Sequence, residues 1–323
     1  MAAASVGQVH SATLSPELIP PELNHPKDVP YEVAVKIQYP GVAQSISSDL
    51  SNLSLLLKAS RILPKGLYLD KMIENARTEL AWECDYVREL ENIQRFHTLL
   101  PPSPNNPFML PIPIPQTSGD KVLTMSRLGG VPATRITDLT QQEKDHIGEE
   151  ILRLSLREIA QFRFMQTDPN WSNFLWNRET GKIELLDFGA CRAYPEEFVQ
   201  TYVALLRAAR RRDKAACEKL SIQLGYLTGL ESSQMTNAHV QSMLILAEPF
   251  IGGAEEDERY DFGSQTITER VKSLIPLMVR ERLTPPPEET YSLHRKLSGA
   301  FLLCARLGSK VRCARVFEQE MEM

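Results

Sequence analysis

The chain has few cysteines, no long apolar run and no excess of basic residues. Its five cysteines, spread over 323 residues, show no paired short spacing, which argues against a zinc site or a disulfide framework. The best candidate for a membrane span, residues 243–251, is too short and contains Glu248 and Pro249. The formal net charge of -5 gives no reason to expect nucleic acid as a partner.

The chain also lacks a glycine-rich phosphate loop. Instead of a G-x-G-x-x-G run, it opens with Ala2, Ala3, Ala4 and Ser5. These side chains replace the hydrogens that would let backbone amides approach a phosphate closely. The start is therefore either a small-residue tail or an altered phosphate loop that includes these four residues.

Length and composition favour one globular enzyme-sized unit. With 42% apolar residues the chain can bury a sizeable core, and one two-lobed catalytic domain fits better than two unrelated domains. The basic run within residues 207–214 has no aromatic or apolar partner face. We interpret it as the solvated end of a helix, although contact with anionic lipid stays open.

Three polar side chains stand at fixed intervals in the middle of the chain. Asp168 precedes Asn173 by five residues, and Asp187 opens the triplet Asp-Phe-Gly. The catalytic loop of protein kinases has the same spacing between its base and its metal-binding asparagine. In that chemistry one carboxylate orients the acceptor, while the amide oxygen and the second carboxylate bind Mg²⁺. The pattern predicts phosphoryl transfer, with Asn173 and Asp187 as metal ligands.

A strand that carries a phosphate-binding lysine is expected upstream of these motifs. Residues 32–37 alternate and include Val-Ala-Val-Lys, which matches the lysine strand of kinases. Lys36 is therefore the expected contact to the phosphates of ATP.

The lysine needs an acidic partner, because an unpaired ammonium in a closing cleft carries a desolvation cost. Residues 70–96 show helical periodicity and many acidic side chains, and we expect one long helix there. Glu83 is the predicted partner of Lys36. Glu79 and Glu89 remain alternatives that the pattern does not separate.

The other elements follow from periodicity and breakers. We predict strands at residues 182–186 and 121–124, and a helix at 141–165 that leads into the catalytic loop. The proline-rich stretch 14–31 reads as a flexible insertion. After residue 187 we expect mainly helices. The hinge, whose backbone would bind the adenine edge, is predicted at Met125, Ser126, Arg127 and Leu128.

At these residues the chain resembles the UbiB or ADCK family of atypical kinase-like proteins of coenzyme Q biosynthesis, most closely its vertebrate mitochondrial members. The matching segments are the alanine-rich loop at 2–5, residues 33–41, the motif Glu83-x-Asp85, residues 168–173, 187–189 and 285–291. The resemblance covers nearly the whole chain. It implies an α+β, two-lobed protein-kinase-like fold, with a small β-containing N-lobe over 1–128 and a larger helical C-lobe over 129–323.

The resemblance also implies function. It predicts an ATP-binding, Mg²⁺-dependent protein that acts mainly as an ATPase in support of a lipid-synthesis complex. Its implied partners are coenzyme Q biosynthesis proteins and lipid precursors or a membrane surface, and it allows a homodimer. The implied location is mitochondrial, peripheral to the inner membrane, and the chain itself shows neither a transit peptide nor a transmembrane helix.

The chain departs from the family pattern at its start. The family's Lys-x-Gly-Gln helix is absent, so we expect an N-terminally truncated form that also lacks the first strand of the N-lobe. Two alternatives to the ATPase therefore stay open. One is a catalytically weak pseudokinase scaffold that binds nucleotide or lipid. The other is a true protein or small-molecule kinase, which the lack of an Ala-Pro-Glu segment after residue 189 disfavours.

Overall fold

The computed structural model describes residues 2–3, 6–23, 25–26, 28–60, 68–168, 170–252 and 258–321. The chain divides into two units, each assembled from separated stretches. The first unit contains Met1–Leu56, Ile73–Arg135 and Ser172–Cys191, and the second contains Leu57–Met72, Ile136–Trp171 and Arg192–Met323. The lobe boundary predicted at residue 128 lies within the first of these units.

The strands belong to both units, and the two four-stranded sheets lie in the first unit. The strands are β1 Ala2–Ala3, β2 Gly7–Leu14, β3 Tyr31–Gln38, β4 Phe108–Met109, β5 Val122–Ser126, β6 Val131–Pro132, β7 Phe164–Gln166, β8 Phe174–Asn177, β9 Lys182–Leu185, β10 Cys191–Ala193, β11 Tyr260–Asp261 and β12 Lys310–Val311. One sheet has the order β1-β2-β3-β5 and is antiparallel. A second four-stranded sheet has the order β4-β9-β8-β6, and β4 runs parallel to β9. Both strands predicted at 32–37 and 182–186 are confirmed.

The β2–β3 hairpin is longer than the sequence predicts. Leu14 pairs with Tyr31, so both ends of the predicted insertion 14–31 are strand residues, and the connection covers 15–30. The reason is packing, because Leu14 is buried against Val33 and Ile114. An apolar side chain at this position stabilises the strand to its last residue.

Helices occur in both units and supply most of the second. The helices are α1 Val42–Ser60, α2 Leu69–Glu83, α3 Tyr86–Leu99, α4 Gln141–Arg157, α5 Glu196–Arg210, α6 Lys214–Gln223, α7 Ser233–Leu246, α8 Ile267–Glu281, α9 Glu288–Leu307 and α10 Cys313–Met321. Their starts follow ordinary capping rules. Thr140 forms a capping box with Glu143 ahead of α4, and Ser232 accepts a hydrogen bond from Met235 at the start of α7.

The single acidic helix predicted over 70–96 is two helices, which corrects that expectation. The chain leaves helical geometry at Asp85, whose φ is -104° and ψ is 90°. Its carboxylate accepts a hydrogen bond from the Arg88 amide at 2.9 Å and caps α3. An aspartate at this position competes with the preceding helix for the backbone and starts a new one.

The helix predicted over 141–165 also ends earlier. After α4 the chain forms a π-helix over Glu158–Phe162, and Arg163 then adopts the left-handed conformation with φ 49°. This turn allows β7 to begin at Phe164. The large core of the second unit contains Leu156, Tyr202, Phe250, Phe301 and Phe317, among other side chains. Among the described helices, none combines the length and the apolar character that a membrane span needs.

Candidate functional site

The first unit contains a buried lysine–glutamate ion pair. Lys36 on β3 contacts both carboxylate oxygens of Glu89 on α3, at 2.8 and 3.0 Å. Lys36 is 6% exposed and Glu89 is 1% exposed. Charges this deeply buried are kept only when they are paired and hydrogen-bonded. The pair therefore connects β3 and α3 at a fixed distance.

Asp187 lies beside this pair. Its Oδ1 is 3.6 Å from Lys36 Nζ, and its side chain is 35% exposed. Burial lowers the pKa of Lys36, but the carboxylates of Glu89 and Asp187 more than offset that effect and the net pKa is raised. Burial raises the pKa of Glu89 to about 7 against the opposing influence of Lys36. The lysine thus remains a cation next to a carboxylate that is accessible to solvent.

The predicted partner Glu83 is corrected by this geometry. The carboxylate that contacts Lys36 belongs to Glu89, one of the two alternatives left open by the sequence. Because the chain breaks between α2 and α3, Glu83 is the last residue of α2, whereas Glu89 lies in the first turn of α3. A continuous helix would have placed these two residues differently.

The same face of α3 holds the segment that contains Asp187. Asn92 donates a hydrogen bond to the Phe188 carbonyl at 2.8 Å, and the Phe188 amide donates to Glu89 at 3.3 Å. Arg88 donates to the Gly189 carbonyl at 2.6 Å. Asp187 itself has a left-handed φ of 59°, a conformation that aspartate tolerates better than most residues. These contacts determine where the Asp187 carboxylate lies.

Asn173 and Asp187 are at the same end of one sheet. The Leu186 amide donates to the Asn173 carbonyl at 2.9 Å, one step beyond the paired residues Phe174 and Leu185. The two strands are antiparallel, so the residue before β8 and the residues after β9 lie at adjacent positions. The structure thus places the backbone of Asn173 beside that of Leu186, the residue before Asp187, and the binding of a metal by both side chains remains a prediction.

The donor set suits Mg²⁺ held partly by phosphate. One amide oxygen and one carboxylate are hard oxygen ligands, and Mg²⁺ commonly takes one or two carboxylates together with phosphates and waters. Among the described residues no group of three or more histidine, cysteine, aspartate or glutamate side chains could hold a metal by itself. The residues therefore fit a nucleotide-bound Mg²⁺ better than a closed metal site built by protein alone.

Asp168 belongs to the second unit, whereas Lys36, Asn173 and Asp187 belong to the first. Its Oδ1 accepts a hydrogen bond from the Asn170 amide at 3.1 Å. This Asx-type turn orients the carboxylate at the start of the predicted catalytic loop. Its catalytic role remains a prediction from spacing.

The alanine-rich segment begins as a strand. Ala2 and Ala3 form β1 and pair with Val9 and Gln8. Ala4 and Ser5 lie outside the described residues. A role of these four residues in binding phosphate remains a prediction.

The predicted hinge begins within β5, which is the last strand in the order of its sheet. Met125 and Ser126 pair with residues of β3 as part of β5, and the Arg127 amide donates to the Glu32 carbonyl at 3.0 Å. The following Gly130 amide donates to the buried carboxylate of Glu184 at 2.7 Å. Binding of adenine along 125–128 remains a prediction.

Three site residues on α3 escaped the sequence reasoning. They are Tyr86, Arg88 and Asn92. Tyr86 is fully buried, and its ring centroid is 5.1 Å from Lys36 Nζ, a cation–π arrangement. A signal was available, since Glu89, Asn92 and the buried Phe96 follow the three- and four-residue spacing of one helix face.

Comparisons with known proteins show which family the chain belongs to. The profile described as "ABC1 atypical kinase-like domain" matches residues 1–221. The chain is 52% identical over 319 residues to "Atypical kinase COQ8, mitochondrial" of Saccharomyces cerevisiae, covering 99% of this chain and 60% of the relative. It is 53% identical over 317 residues to the protein of the same name in Schizosaccharomyces pombe, covering 98% of this chain and 49% of the relative.

A solved structure supports the fold. The complex of Rv3197 with erythromycin from Mycobacterium tuberculosis matches with a TM-score of 0.70 at 22% identity, over 99% of this chain and 76% of the other. The chain spans between about half and three fifths of the length of the two yeast relatives. The fold is α+β and kinase-like, as the sequence predicts. The chain belongs to the ABC1 atypical kinase-like domain family.

Proposed function

We propose that this chain binds Mg-ATP and hydrolyses it. The observation that carries the proposal is the cluster of Lys36, Glu89 and Asp187, in which a buried lysine bridges a buried and a partly exposed carboxylate. Kinase-like enzymes need this lysine–glutamate pair and a metal-binding aspartate in place at once. Lys36 and Glu89 already balance each other's charge, so the third, partly exposed carboxylate of Asp187 suits a metal-binding role.

Each residue of the motif receives one role in this proposal. Lys36 would contact the phosphates of ATP, and Glu89 would hold the lysine in position. Asn173 and Asp187 would hold Mg²⁺, which supplies charge neutralisation at the phosphates when bound. Asp168 would orient the attacking water, a role that rests on its spacing of five residues from Asn173.

The biological setting is proposed from the relatives. Both yeast relatives are named mitochondrial atypical kinases, and their COQ8 name points to coenzyme Q biosynthesis. We infer for this chain a supporting role in the same synthesis, at a mitochondrial location and in contact with proteins or lipid precursors of that process. Peripheral association with the inner membrane and formation of a homodimer remain proposals.

The decisive experiment combines a thermal-shift titration with Mg-ATP and a phosphate-release assay. We expect both signals from the parent chain and loss of phosphate release, by about a hundredfold or more, in Asp187→Asn. Asparagine tolerates the left-handed conformation of residue 187, so the backbone should be preserved. Asp120→Asn is the matched control, because Asp120 is an exposed carboxylate in the same unit.

The outcomes separate the alternatives. Binding without phosphate release in the parent chain would favour the pseudokinase scaffold, and transfer of radiolabel to an added protein would favour a true kinase. Hydrolysis by Asp187→Asn at the parental rate would overturn the assignment of the metal ligand. For the biological role, the chain should restore ubiquinone in a yeast strain that lacks its COQ8 relative, whereas the Asp187→Asn variant should not.

A further inference from the structure

The second unit contains its own buried ion pair, which the motifs of the sequence do not indicate. Lys296 on α9 lies 2.9 Å from the carboxylate of Glu158, and their side chains are 4% and 1% exposed. Burial raises the pKa of Glu158, although Lys296 opposes that change. Both charges are therefore fully removed from water and depend on each other.

Both members of the pair also hold Gln166, two residues before Asp168. Lys296 Nζ donates to the backbone carbonyl of Gln166 at 2.7 Å and to its side-chain oxygen at 3.2 Å. The Gln166 amide donates to Glu158 Oε1 at 3.3 Å. The backbone donor and acceptor of one residue are thus both bound to charged side chains, which make the stronger class of hydrogen bond.

A second contact from α9 reaches the next residue. Arg295 Nε donates to the Thr167 carbonyl at 3.4 Å. The two residues immediately before Asp168 are therefore each contacted by a cation of the same helix.

The element that supplies Glu158 is itself unusual. Glu158 is the first residue of the π-helix that follows α4, and such π-bulges occur frequently at functional sites. The added residue in the turn rotates the side chains that follow relative to those of a regular helix. In this chain the π-helix begins at the residue whose carboxylate contacts Gln166, the last residue of β7.

Stability alone is a weak reason for such a pair. Two apolar side chains of similar volume are often as stabilising as a buried ion pair, because the desolvation of two charges cancels much of their attraction. An ion pair does differ from apolar packing in that it can hold polar backbone groups at fixed positions. In this chain those groups belong to the segment that leads to Asp168.

We propose that Lys296 and Glu158 are positioning residues that hold the backbone at Gln166 and thereby orient Asp168 for its proposed role in ATP hydrolysis. The inference rests on the proposed function of Asp168. It makes α9 part of the catalytic apparatus, although Lys296 lies beyond the residues 1–221 matched by the family profile.

The test is the double variant Glu158→Gln/Lys296→Met, which removes both charges at similar side-chain volume and leaves no unpaired ion. The matched control is Glu149→Gln/Arg312→Met. Glu149 and Arg312 form an ion pair at 2.9 Å in the same unit, with Glu149 on α4 and Arg312 directly before α10. Each protein is assayed for kcat and KM of ATP hydrolysis, and for hydrogen exchange of a peptide that covers residues 164–168.

Positioning predicts a specific combination of results. In the Glu158→Gln/Lys296→Met variant kcat should fall by roughly tenfold to a hundredfold, as expected for a misplaced catalytic group, while KM for ATP changes by about twofold or less. Exchange in the 164–168 peptide should become faster by about tenfold, because the bonds that protect it are weakened. The control variant should match the parent in all three measurements.

Two results would overturn the inference. One is unchanged exchange in the 164–168 peptide, and the other is a parental kcat in a variant whose peptide exchanges faster. If the parent chain itself does not hydrolyse ATP, the proposed function fails, and the inferred role in catalysis fails with it. Hydrogen exchange of the 164–168 peptide still shows, independently of activity, whether Lys296 and Glu158 hold this segment.

A second variant covers failure of the double variant to fold. Lys296→Arg keeps a cation opposite Glu158 but changes the donor geometry at Gln166, since a guanidinium does not replace an ammonium at such a site. Positioning predicts a lower kcat and faster exchange in Lys296→Arg. Parental values of both would show that Lys296 only balances the charge of Glu158, which contradicts the proposal.

Discussion

Lys36 Nζ contacts both carboxylate oxygens of Glu89 and lies 3.6 Å from Asp187, so one ammonium group links β3, α3 and the Asp-Phe-Gly segment. The three elements are far apart in sequence and meet at a single cation. Glu89 also accepts the Phe188 amide, which places the residue after Asp187 in the same network. A change at Glu89 should therefore affect both the lysine and the metal-binding segment.

Replacing Glu89 by glutamine should strongly destabilise the chain. The variant leaves Lys36 buried without its main counter-ion, and breaking a buried pair in this way costs roughly 3 kcal/mol. The measurement is the free energy of unfolding by urea. Glu91→Gln, an exposed carboxylate on the same helix, is the control and should change stability by about 0.5 kcal/mol or less. A double variant Lys36→Met/Glu89→Gln should be more stable than Glu89→Gln alone, because it removes the unpaired charge.

Gly7 should not tolerate even a methyl group. A Cβ at this position would lie 2.3 Å from the backbone oxygen of Ile37 and 2.8 Å from the Tyr86 hydroxyl. Gly7→Ala should lower the free energy of unfolding by roughly 1–3 kcal/mol, because the paired backbone of β3 has to shift. Gly119→Ala is the matched control in the same unit, since nothing lies within 4 Å of its added Cβ. Equal stability of the two variants would contradict the close approach of β2 and β3.

The hydroxyl of Tyr86 should be dispensable for stability, whereas its ring should not. Among the described residues the buried hydroxyl has no hydrogen-bond partner, and burial raises the pKa of Tyr86 to about 12. Tyr86→Phe keeps the ring beside Lys36 and removes an unsatisfied polar group, so the free energy of unfolding should stay equal or rise by about 1 kcal/mol. Tyr86→Leu should lose roughly 1–2 kcal/mol with the cation–π contact and aromatic packing. A large loss in Tyr86→Phe would show that the hydroxyl is satisfied in solution.

The free energy of unfolding should decrease at acidic pH because of a buried histidine in the second unit. Burial lowers the pKa of His239 to about 4, and its ring contacts the Ser221 hydroxyl at 2.9 Å. Between about pH 6.5 and pH 4, the unfolded chain therefore binds a proton at His239 that the folded chain does not. The contribution of the neutral histidine to the free energy of unfolding is complete above about pH 6.5 and is lost as the pH falls towards 4.

The comparison of parent and His239→Gln isolates this effect. Over that range the free energy of unfolding of the parent should decrease more steeply than that of the variant, by up to about 1.4 kcal/mol per pH unit. The measurement is urea unfolding at several pH values between 4 and 7. Identical slopes in the two proteins would rule out His239 as a source of the acid sensitivity.

Local motifs identified much of the candidate site. The lysine strand, the spacing of Asp168 and Asn173, and the Asp-Phe-Gly triplet depend on residues close together in the chain, and the predicted strands at 32–37 and 182–186 are confirmed. Local motifs did not identify the acidic partner of Lys36. Lys36 and Glu89 are 53 positions apart, and several acidic residues of similar character precede Glu89. The cap at Asp85 ends one helix and begins another, and it therefore contributes to which carboxylate faces the lysine.

The amino-acid sequence was sufficient for the family and the kinase-like fold class, through its resemblance to known members, and for the residue types available for Mg-ATP, because motif spacing is local to the chain. The tertiary structure alone decided that Glu89 pairs with Lys36, that Asn92 and Arg88 hold the Asp187 segment, and that Lys296 contacts Gln166. Those contacts join residues from distant parts of the chain. The sequence contains many polar side chains that could form such contacts. The packing of each helix determines which of its faces points inward, and thereby which side chains form them.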